Sequence, residues 1–371
     1  MKTYANLYCQ LCSIHNLERA FKKARKRKAK KDYVIEFEAN LQANLASLGQ
    51  DLQNFTYRPS PLTTFIVRDP KTRKISSSHF RDRVVHHALC NIISPILEKV
   101  FIYDSFANQN GKGTHKALRR AAFFMGKTAR MHGSHMKGFA LKADIRHYFD
   151  TVDHVILLKI ISLKITDQKI IQLIRIILAN HKSELEGKGM PIGNLTSQFF
   201  ANVYLGELDQ FIKHTLKAKH YIRYVDDFVI FDNNKKRLEK WQAEIDNFLR
   251  SRLAIELHKE KTKIVPLHTG ITFLGFRIFR DYKLLKKSNA RRIWKRLEIF
   301  RRRRNDGLMT NEDASRSLEG WLAYARFANT YNLRNSVTRK FSELLSKDDL
   351  PQRRTSDNEQ WGNAATTVQE Q

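Results

Sequence analysis

Two adjacent carboxylates, Asp226 and Asp227, interrupt an otherwise apolar run of β-branched and aromatic residues across 221–231. This pattern predicts a strand, a tight turn and a returning strand, with both aspartates at the tip of the hairpin. Because unpaired buried charge is strongly unfavourable, such a hairpin requires a cation beside its tip. A divalent metal ion is the simplest candidate. The alternative is a surface hairpin whose turn is Asp-Asp, since aspartate is a common turn residue.

A second apolar segment, residues 140–143, also ends in an aspartate, Asp144. The chain between Asp144 and Asp226 is long enough for two helices and a strand, so two strands can place these carboxylates side by side. Hard oxygen ligands from separate strands suit Mg²⁺, which takes a few carboxylates together with substrate phosphates. A pair of such ions stabilises the attacking and leaving oxygens of a phosphoryl transfer. The two segments therefore predict nucleotidyl-transfer chemistry.

Five motifs in a fixed order give the chain a resemblance to reverse transcriptases. Asp144 matches the first aspartate of their palm, and residues 224–227 match their Tyr-x-Asp-Asp box. The other motifs are a fingers segment at 80–89, a lysine-bearing loop at 257–263 and a primer-grip hairpin containing Phe273, Leu274 and Gly275. The resemblance implies an α+β right-hand polymerase with fingers, a palm built on an antiparallel sheet, and a helical thumb.

The resemblance also implies how the catalytic centre is built. Asp144 and Asp226 would hold two Mg²⁺ ions, with Mn²⁺ as an alternative, while Asp227 would assist. The Ile145 carbonyl would be a further metal ligand. Lys261 would protonate the departing pyrophosphate, and Lys263 is its rival for that role.

A second set of residues would bind the incoming nucleotide. Arg73 would hold the triphosphate because a planar guanidinium suits phosphate oxygens. Its rivals are Arg68, Lys71 and Lys74. Phe149 occupies the position of the aromatic steric gate of the family, which would exclude a ribose 2′-hydroxyl and make DNA the product; the alternative is a core residue. Tyr148 would face the opposite way if the backbone there is extended.

Residues 189–205 distinguish between kinds of reverse transcriptase. Intron and retroviral enzymes usually carry Gln where this chain has Ile192, and the intron enzymes have Ser-Pro at 197–198. The form at 192–198 and the segment 320–334 resemble enzymes of diversity-generating retroelements. That resemblance implies error-prone cDNA synthesis from a template RNA, with errors at template adenines, in mutagenic retrohoming. The alternatives are a defence-associated bacterial reverse transcriptase, an intron-like enzyme of ordinary fidelity, and a non-catalytic RNA-binding protein.

Local chemistry suggests roles within this segment. Gly193 would let the backbone approach a ligand closely, and Asn194 would cap a helix. Apolar residues at helical spacing follow. Ile192 offers the base pair only shape, so the loss of Gln there would weaken discrimination by about 1–3 kcal/mol. The alternative is that Ile192 only packs. Gln198 is placed in the nucleotide site by the resemblance.

The net charge of +30 indicates a polyanionic partner. We expect template RNA, an RNA or DNA primer and dNTPs, and the resemblance adds a small basic accessory protein that forms an oligomeric ring. The sequence contains no apolar run of the ~18–20 residues that a membrane span requires, and no secretory signal is evident. Three cysteines fit an intracellular enzyme. We therefore expect a cytoplasmic protein, in a bacterium or a phage-infected cell.

Two basic clusters are predicted to bind nucleic acid, the alternative being solvated charged helices. The first, in the helical pattern of residues 22–31, contains Lys26, Arg27 and Lys28. The second contains Arg291, Arg292, Arg296, Arg302 and Arg303, around an apolar stripe of Ile293, Leu297 and Phe300.

The predicted domains follow the same order along the chain. They are a basic helical N-terminal extension at 1–55, fingers at 56–100 with part of the region up to 200, a palm at 101–284, a helical thumb at 285–345 and a disordered tail at 346–371. Asp153, at the start of an apolar helical pattern, is predicted to cap a helix rather than to act in the site.

Overall fold

The computed structural model describes residues 2–68, 72–132 and 135–346. The chain divides into two compact units, Met1–Lys283 and Leu284–Gln371. Apart from Ser346, the predicted tail lies outside the described residues.

In the first unit, helices and strands alternate irregularly. Its described helices are α1 (Tyr8–Cys12), α2 (Ile14–Arg25), α3 (Asp32–Ala39), α4 (Leu41–Gln53), α5 (Phe80–Leu97), α6 (Thr114–Thr128), α7 (Tyr148–Thr151), α8 (His154–Ser162), α9 (Gln168–Ala179), α10 (Leu195–Tyr204), α11 (Gly206–Gln210) and α12 (Lys235–Leu253). Its described strands are β1 (Thr63–Val67), β2 (Arg73–Ser77), β3 (Arg130–His132), β4 (His135–Lys137), β5 (Phe139–Asp144), β6 (His220–Tyr224), β7 (Asp227–Asp232), β8 (Lys263–Pro266), β9 (Ile271–Phe273) and β10 (Phe276–Ile278). A further strand, β11 (Lys283–Leu285), lies where the two units divide.

A four-stranded antiparallel sheet in the order β6-β7-β5-β8 forms the centre of this unit. Successive side chains of a strand point to opposite faces, and both faces of β7 are covered. On one face, Ile230 belongs to the same buried cluster as Ile245 of α12. On the other face, the ring of Phe231 lies 6.3 Å from that of Phe124 in α6. This burial explains why β7 is almost continuously apolar.

The N-terminal helices pack on α5 through an apolar stripe of α2. This stripe consists of Leu17, Ala20, Phe21 and Ala24. Ser13 caps α2 by accepting a hydrogen bond from the Asn16 N–H. The helix predicted through residue 31 was wrong in its second half, since α2 ends at Arg25 and Arg27 has a φ of +65°. Repulsion among the crowded basic side chains, of which Arg25 pairs with Glu38, accounts for the early end of the helix.

The second unit contains the helices α13 (Lys287–Asn305), α14 (Asn311–Ala325) and α15 (Tyr331–Ser346). The apolar stripe predicted for α13 is buried with Leu318 of α14 and with Val337 and Phe341 of α15. Thr310 and Asp313 form a capping box at the start of α14.

None of the helices in the described ranges is both long enough and apolar enough to span a bilayer.

Candidate active site

The predicted hairpin is formed by β6 and β7, but its turn lies one residue earlier than expected, because Asp227 is already the first residue of β7. Tyr224 pairs with Asp227 across the ladder, so Val225 and Asp226 are the two residues of the turn. Val225 has a φ of +56°. This left-handed conformation is strained for a β-branched residue and persists only where its surroundings enforce it.

The end of β5 completes a cluster of three carboxylates. Asp144 lies directly opposite Asp227 in the ladder between β5 and β7. The next residue, Ile145, donates its N–H to the Asp226 carbonyl at 3.3 Å. The structure therefore brings together the three aspartates and the backbone of Ile145, as the two apolar segments predict.

Burial and mutual repulsion disfavour the ionised forms of these carboxyl groups. Burial raises the pKa of Asp226 above its ordinary value, and the negative charge of Asp144 raises it further. Burial likewise raises the pKa of Asp227 to about 7, although the Lys142 ammonium acts in the opposite direction. The Oδ1 atom of Asp227 is buried without a hydrogen-bond partner. An additional cation would relieve both the repulsion and the unpaired oxygen.

Two lysines supply part of the missing positive charge. The Lys261 Nζ lies 3.0 Å from Asp144 Oδ1, and the Lys142 Nζ lies 3.8 Å from Asp227 Oδ2. The rival residue Lys263 lies on β8, opposite Lys142 and exposed. Sequence reasoning missed Lys142. Its position two residues before Asp144 was the available signal, because residues i and i+2 of a strand share a face.

The carboxylates at this hairpin are oxygen ligands of the kind that divalent metal ions prefer. Within the described residues, no three His, Cys, Asp or Glu side chains converge on one metal position. Mg²⁺ is usually held by one or two carboxylates together with substrate phosphates and water. Asp144 and Asp226, with Asp227 beside them, fit a site of that kind.

A buried ion pair supports the turn from below. Arg223 is wholly buried and forms a bidentate pair with Asp209, with Nε–Oδ1 and Nη2–Oδ2 distances of 2.7 and 2.6 Å. Its Nη1 also donates to the Val225 carbonyl at 3.0 Å and to Asn202 Oδ1 at 3.1 Å. The guanidinium thereby fixes the carbonyl of the strained residue. Sequence reasoning missed this network, although an arginine inside an apolar strand was a visible signal.

Two of the residues predicted to contact the nucleotide, Arg73 and Phe149, lie on β2 and α7. Arg73 is the exposed first residue of β2, and its positive charge opposes the rise in the pKa of Asp226. Phe149 is half-buried in α7, with its ring 5.5 Å from that of Tyr148. The opposite orientation of Tyr148 was expected only for an extended backbone, and the backbone is instead helical after His147, which has a φ of +44°. Tyr148 is buried and donates to the Ala201 carbonyl at 2.6 Å.

The segment before α10 is joined to β2. The Ile192 carbonyl accepts the Ser76 N–H at 3.0 Å. Gly193 has a φ of +120°, and a Cβ there would lie 2.8 Å from Ile75 Cγ2. The glycine therefore lets the backbone approach β2 closely, whereas a close approach to a ligand was expected. Asn194 occupies the N-cap position but caps nothing, since its side-chain oxygen accepts the Ser78 N–H at 3.1 Å.

Ile192 and Gln198 are both half-buried, the latter in the first turn of α10. Ile192 lines a cavity of about 900 Å³ together with Lys74, Arg146, His147 and Asp150. The predicted cap at Asp153 is present, because its carboxylate accepts the N–H groups of residues 155 and 156 in α8.

The predicted primer grip is a second tight hairpin. Phe273 of β9 pairs with Phe276 of β10, so Leu274 and Gly275 form the turn. Both turn residues have positive φ, +48° and +87°, as the favoured two-residue hairpin turns require.

The predicted basic clusters lie in different units. Lys26, Arg27 and Lys28 are exposed just beyond the end of α2. Arg291, Arg296, Arg302 and Arg303 are exposed on α13, whereas Arg292 is half-buried. Arg296 donates to the hydroxyl of Ser317 in α14 at 2.8 Å.

Comparison with known proteins identifies the family. The family described as "Reverse transcriptase (RNA-dependent DNA polymerase)" matches residues 68–278, more than half of the chain. Protein YkfC of Escherichia coli is 26% identical over 282 residues, 66% of this chain and 73% of that protein. The group II intron-encoded protein LtrA of Lactococcus lactis is 26% identical over 299 residues, 62% of this chain and 48% of LtrA.

Among solved structures, apo telomerase from Candida tropicalis matches with a TM-score of 0.47 and 14% identity over 64% of this chain and 59% of that one. The region that matches the family, residues 68–278, contains the aspartates of β5 and of the β6–β7 hairpin, as well as the β9–β10 hairpin. The predicted α+β right-hand polymerase is confirmed. The chain belongs to the reverse transcriptase family, the RNA-dependent DNA polymerases.

Proposed function

We propose that this chain copies a template RNA into cDNA with low fidelity opposite template adenines, as the enzyme of a diversity-generating retroelement. The cluster of Asp144, Asp226 and Asp227 carries the polymerase part of the proposal. The apolar Ile192 supports the low-fidelity part, since it lines a cavity together with Lys74 of β2 and with Arg146, two residues after Asp144.

Asp144 and Asp226 would hold Mg²⁺, with Asp227 and the Ile145 carbonyl beside it. The bound ions would neutralise charge on the phosphates and lower the pKa of the primer 3′-hydroxyl. Lys261 now neutralises Asp144, and it would be freed to protonate the leaving pyrophosphate. Arg73, exposed at the start of β2, would bind the triphosphate.

The substrates follow from the same arrangement. Phe149, half-buried in α7 five residues after Asp144, would exclude a ribose 2′-hydroxyl, so dNTPs would be the substrates. Template RNA and an RNA or DNA primer would bind the basic clusters of α13 and of residues 26–28. A small basic oligomeric accessory protein would complete the enzyme, in accord with the resemblance to retroelement enzymes.

Primer extension on a defined RNA template tests this function. With Mg²⁺ and dNTPs we expect a templated DNA product, and with rNTPs we expect little or none. The native template RNA and the accessory protein are added in a parallel reaction. Template-independent DNA in both reactions would instead support a defence-associated enzyme, and RNA as the main product would contradict the assignment of Phe149.

The Ile192→Gln variant tests fidelity. A glutamine at the cavity could hydrogen-bond the nascent base pair, so misincorporation opposite template adenines should fall about 5- to 100-fold, as small changes in a pocket permit. Sequencing of the cDNA measures the error rate at each template base. Ile192→Leu is the matched control and should leave the errors unchanged.

An enzyme of ordinary fidelity is the second candidate, because an intron-encoded protein is among the relatives. Accurate copying of template adenines by the unmodified chain would favour that candidate. Equal error rates for the unmodified chain and the Ile192→Gln variant would make position 192 a packing position only.

A further inference from the structure

Helix α6 has one apolar side and one basic side. Its 15 residues include no aspartate or glutamate. The apolar side, which contains Phe124, packs against the sheet. On the other side, the exposed residues include Lys116, Arg119, Phe123 and Lys127. Among the described residues, Lys116, Arg119 and Lys127 take part in no ion pair with an acidic side chain.

The guanidinium of Arg120 contacts two exposed aromatic rings on this side, those of Tyr103 and Phe123. The Arg120 guanidinium carbon lies 5.4 Å from the ring centre of Tyr103 and 5.3 Å from that of Phe123. Asp104 fixes Arg120 through an Nε–Oδ1 contact of 2.7 Å. Tyr103 and Phe123 are therefore neighbours on a single surface, held in place by a buried carboxylate.

Further cations flank the two rings. The Lys112 Nζ lies 5.5 Å from the centre of the Tyr103 ring, and the Lys127 Nζ lies 5.7 Å from that of Phe123. Even so, Tyr103 is 73% exposed and Phe123 is 51% exposed. Rings that stay open to solvent among cations form a platform on which bases stack while phosphates pair with the charges.

The platform begins next to the catalytic hairpin. The hydroxyl of Thr114, the first residue of α6, lies 3.2 Å from the hydroxyl of Tyr224. The loop that carries Tyr103 is tied to β6, because the Arg223 N–H donates to the Asp104 carbonyl at 3.0 Å. From there α6 extends for about 20 Å. A single-stranded nucleic acid bound on this side would run from the carboxylates outward.

We propose that Tyr103, Phe123 and the basic residues Lys116, Arg119 and Lys127 form a second RNA-binding surface, which holds the single-stranded RNA outside the catalytic cleft. The identity of the strand as template rests on the proposed polymerase function. The binding itself requires no catalysis, so the two proposals can fail separately.

The test uses the full chain and a fluorescein-labelled 30-nucleotide single-stranded RNA, with affinity measured by anisotropy. The variant Tyr103→Ala/Phe123→Ala should bind at least about tenfold more weakly, because each stacked base contributes severalfold or more. Tyr103→Phe keeps the ring and should bind as the unmodified chain does. Both rings are largely exposed, so their removal should leave the thermal unfolding temperature unchanged.

Charge variants separate this surface from general electrostatics. Lys116→Gln/Arg119→Gln should lower the slope of log affinity against log salt by about 1.4, since single strands release about 0.7 counterions per contact. Lys235→Gln/Lys240→Gln removes two cations from α12 that are paired with Glu239 and Glu244. This control should leave the slope unchanged.

Three outcomes would overturn the proposal. The ring variant could bind RNA as tightly as the unmodified chain. The salt slope of the α12 control could fall by as much as that of the α6 variant. Alternatively, poly-glutamate could compete with RNA in a ring-dependent manner, which would assign the surface to an acidic protein. Ring-dependent RNA binding by a chain that extends no primer would leave this surface standing while the polymerase proposal fails.

Discussion

Replacement of Asp226 by asparagine should lower the rate of primer extension by about a thousandfold or more. The change keeps the size of the side chain but removes a negative charge from the cluster with Asp144 and Asp227. Metal ions contribute several kcal/mol to the stabilisation of a phosphoryl-transfer transition state, and each 1.36 kcal/mol corresponds to a factor of ten in rate. Single-nucleotide incorporation in Mg²⁺ measures the effect.

The folded state should tolerate this loss of charge. Since burial and the charge of Asp144 raise the pKa of Asp226, the ionised carboxylate is unfavourable in the metal-free fold. The Asp226→Asn chain should therefore unfold at the same temperature or higher when Mg²⁺ is absent. Lys261→Gln is a useful comparison: it removes a cation from Asp144 and the proposed proton donor, so it should lower the rate about a hundredfold, less than Asp226→Asn does. Extension that persists at near-normal rate in Asp226→Asn would refute the assignment of the catalytic centre.

The same carboxylates predict a pH dependence in the metal-free protein. The pKa of Asp227 is about 7 in the folded chain, against about 3.9 for an unperturbed aspartate. The folded state therefore binds the proton of the Asp227 carboxyl more tightly than the unfolded state does. The stabilisation of the fold by this proton is complete below about pH 4 and is lost as the pH rises through 7. In a buffer that contains a metal chelator, the unfolding temperature of the Asp227→Asn variant should decrease less between pH 5 and pH 8 than that of the unmodified chain.

Replacement of Arg223 by methionine should damage both stability and catalysis. The change leaves Asp209 buried without its partner, which costs about 3–5 kcal/mol of unfolding free energy. It also removes the hydrogen bond to the Val225 carbonyl. The strained turn would relax, and a displacement of about 1 Å at the carboxylates is expected to lower the rate about a hundredfold. Chemical denaturation and single-nucleotide incorporation measure the two effects.

A double variant distinguishes positioning from folding. Arg223→Met/Asp209→Leu removes both buried charges, and replacement of a buried pair by apolar residues is often neutral for stability. We expect part of the unfolding free energy to return, because the buried hydroxyl of Tyr221 still lacks the acceptor that Asp209 supplies. The rate should stay low, because the Val225 carbonyl still lacks its donor. Recovery of the rate together with the stability would show that Arg223 serves the fold alone.

The sequence predicted those parts of the site that depend on local pattern. The apolar run interrupted by two carboxylates predicted a hairpin that carries Asp226 and Asp227, although Asp227 is the first residue of β7 and only Asp226 lies in the turn. The apolar segment before Asp144 predicted a strand that places this residue beside them. The helical spacing of Ile293, Leu297 and Phe300 predicted the buried side of α13.

The remaining features depend on contacts between distant segments, which a local pattern does not contain. Asp209 reaches Arg223 only because α11 packs beneath β6. The acceptor role of Asn194 depends on the Ser78 N–H, far away in sequence. The platform of Tyr103 and Phe123 likewise requires that a loop and a helix meet at Arg120. Long-range partners of this kind become visible only in three dimensions.

The hydrogen bond between the Ser76 N–H and the Ile192 carbonyl connects the strand that would bind the nucleotide to the position that would select the base. Arg73 lies three residues before Ser76 on the same short strand, so any movement of β2 toward a triphosphate would also pull on the backbone at position 192. In the proposed enzyme, nucleotide capture and the choice of base would share one mechanical element. Selection for tighter nucleotide binding would then alter the mutation spectrum as well.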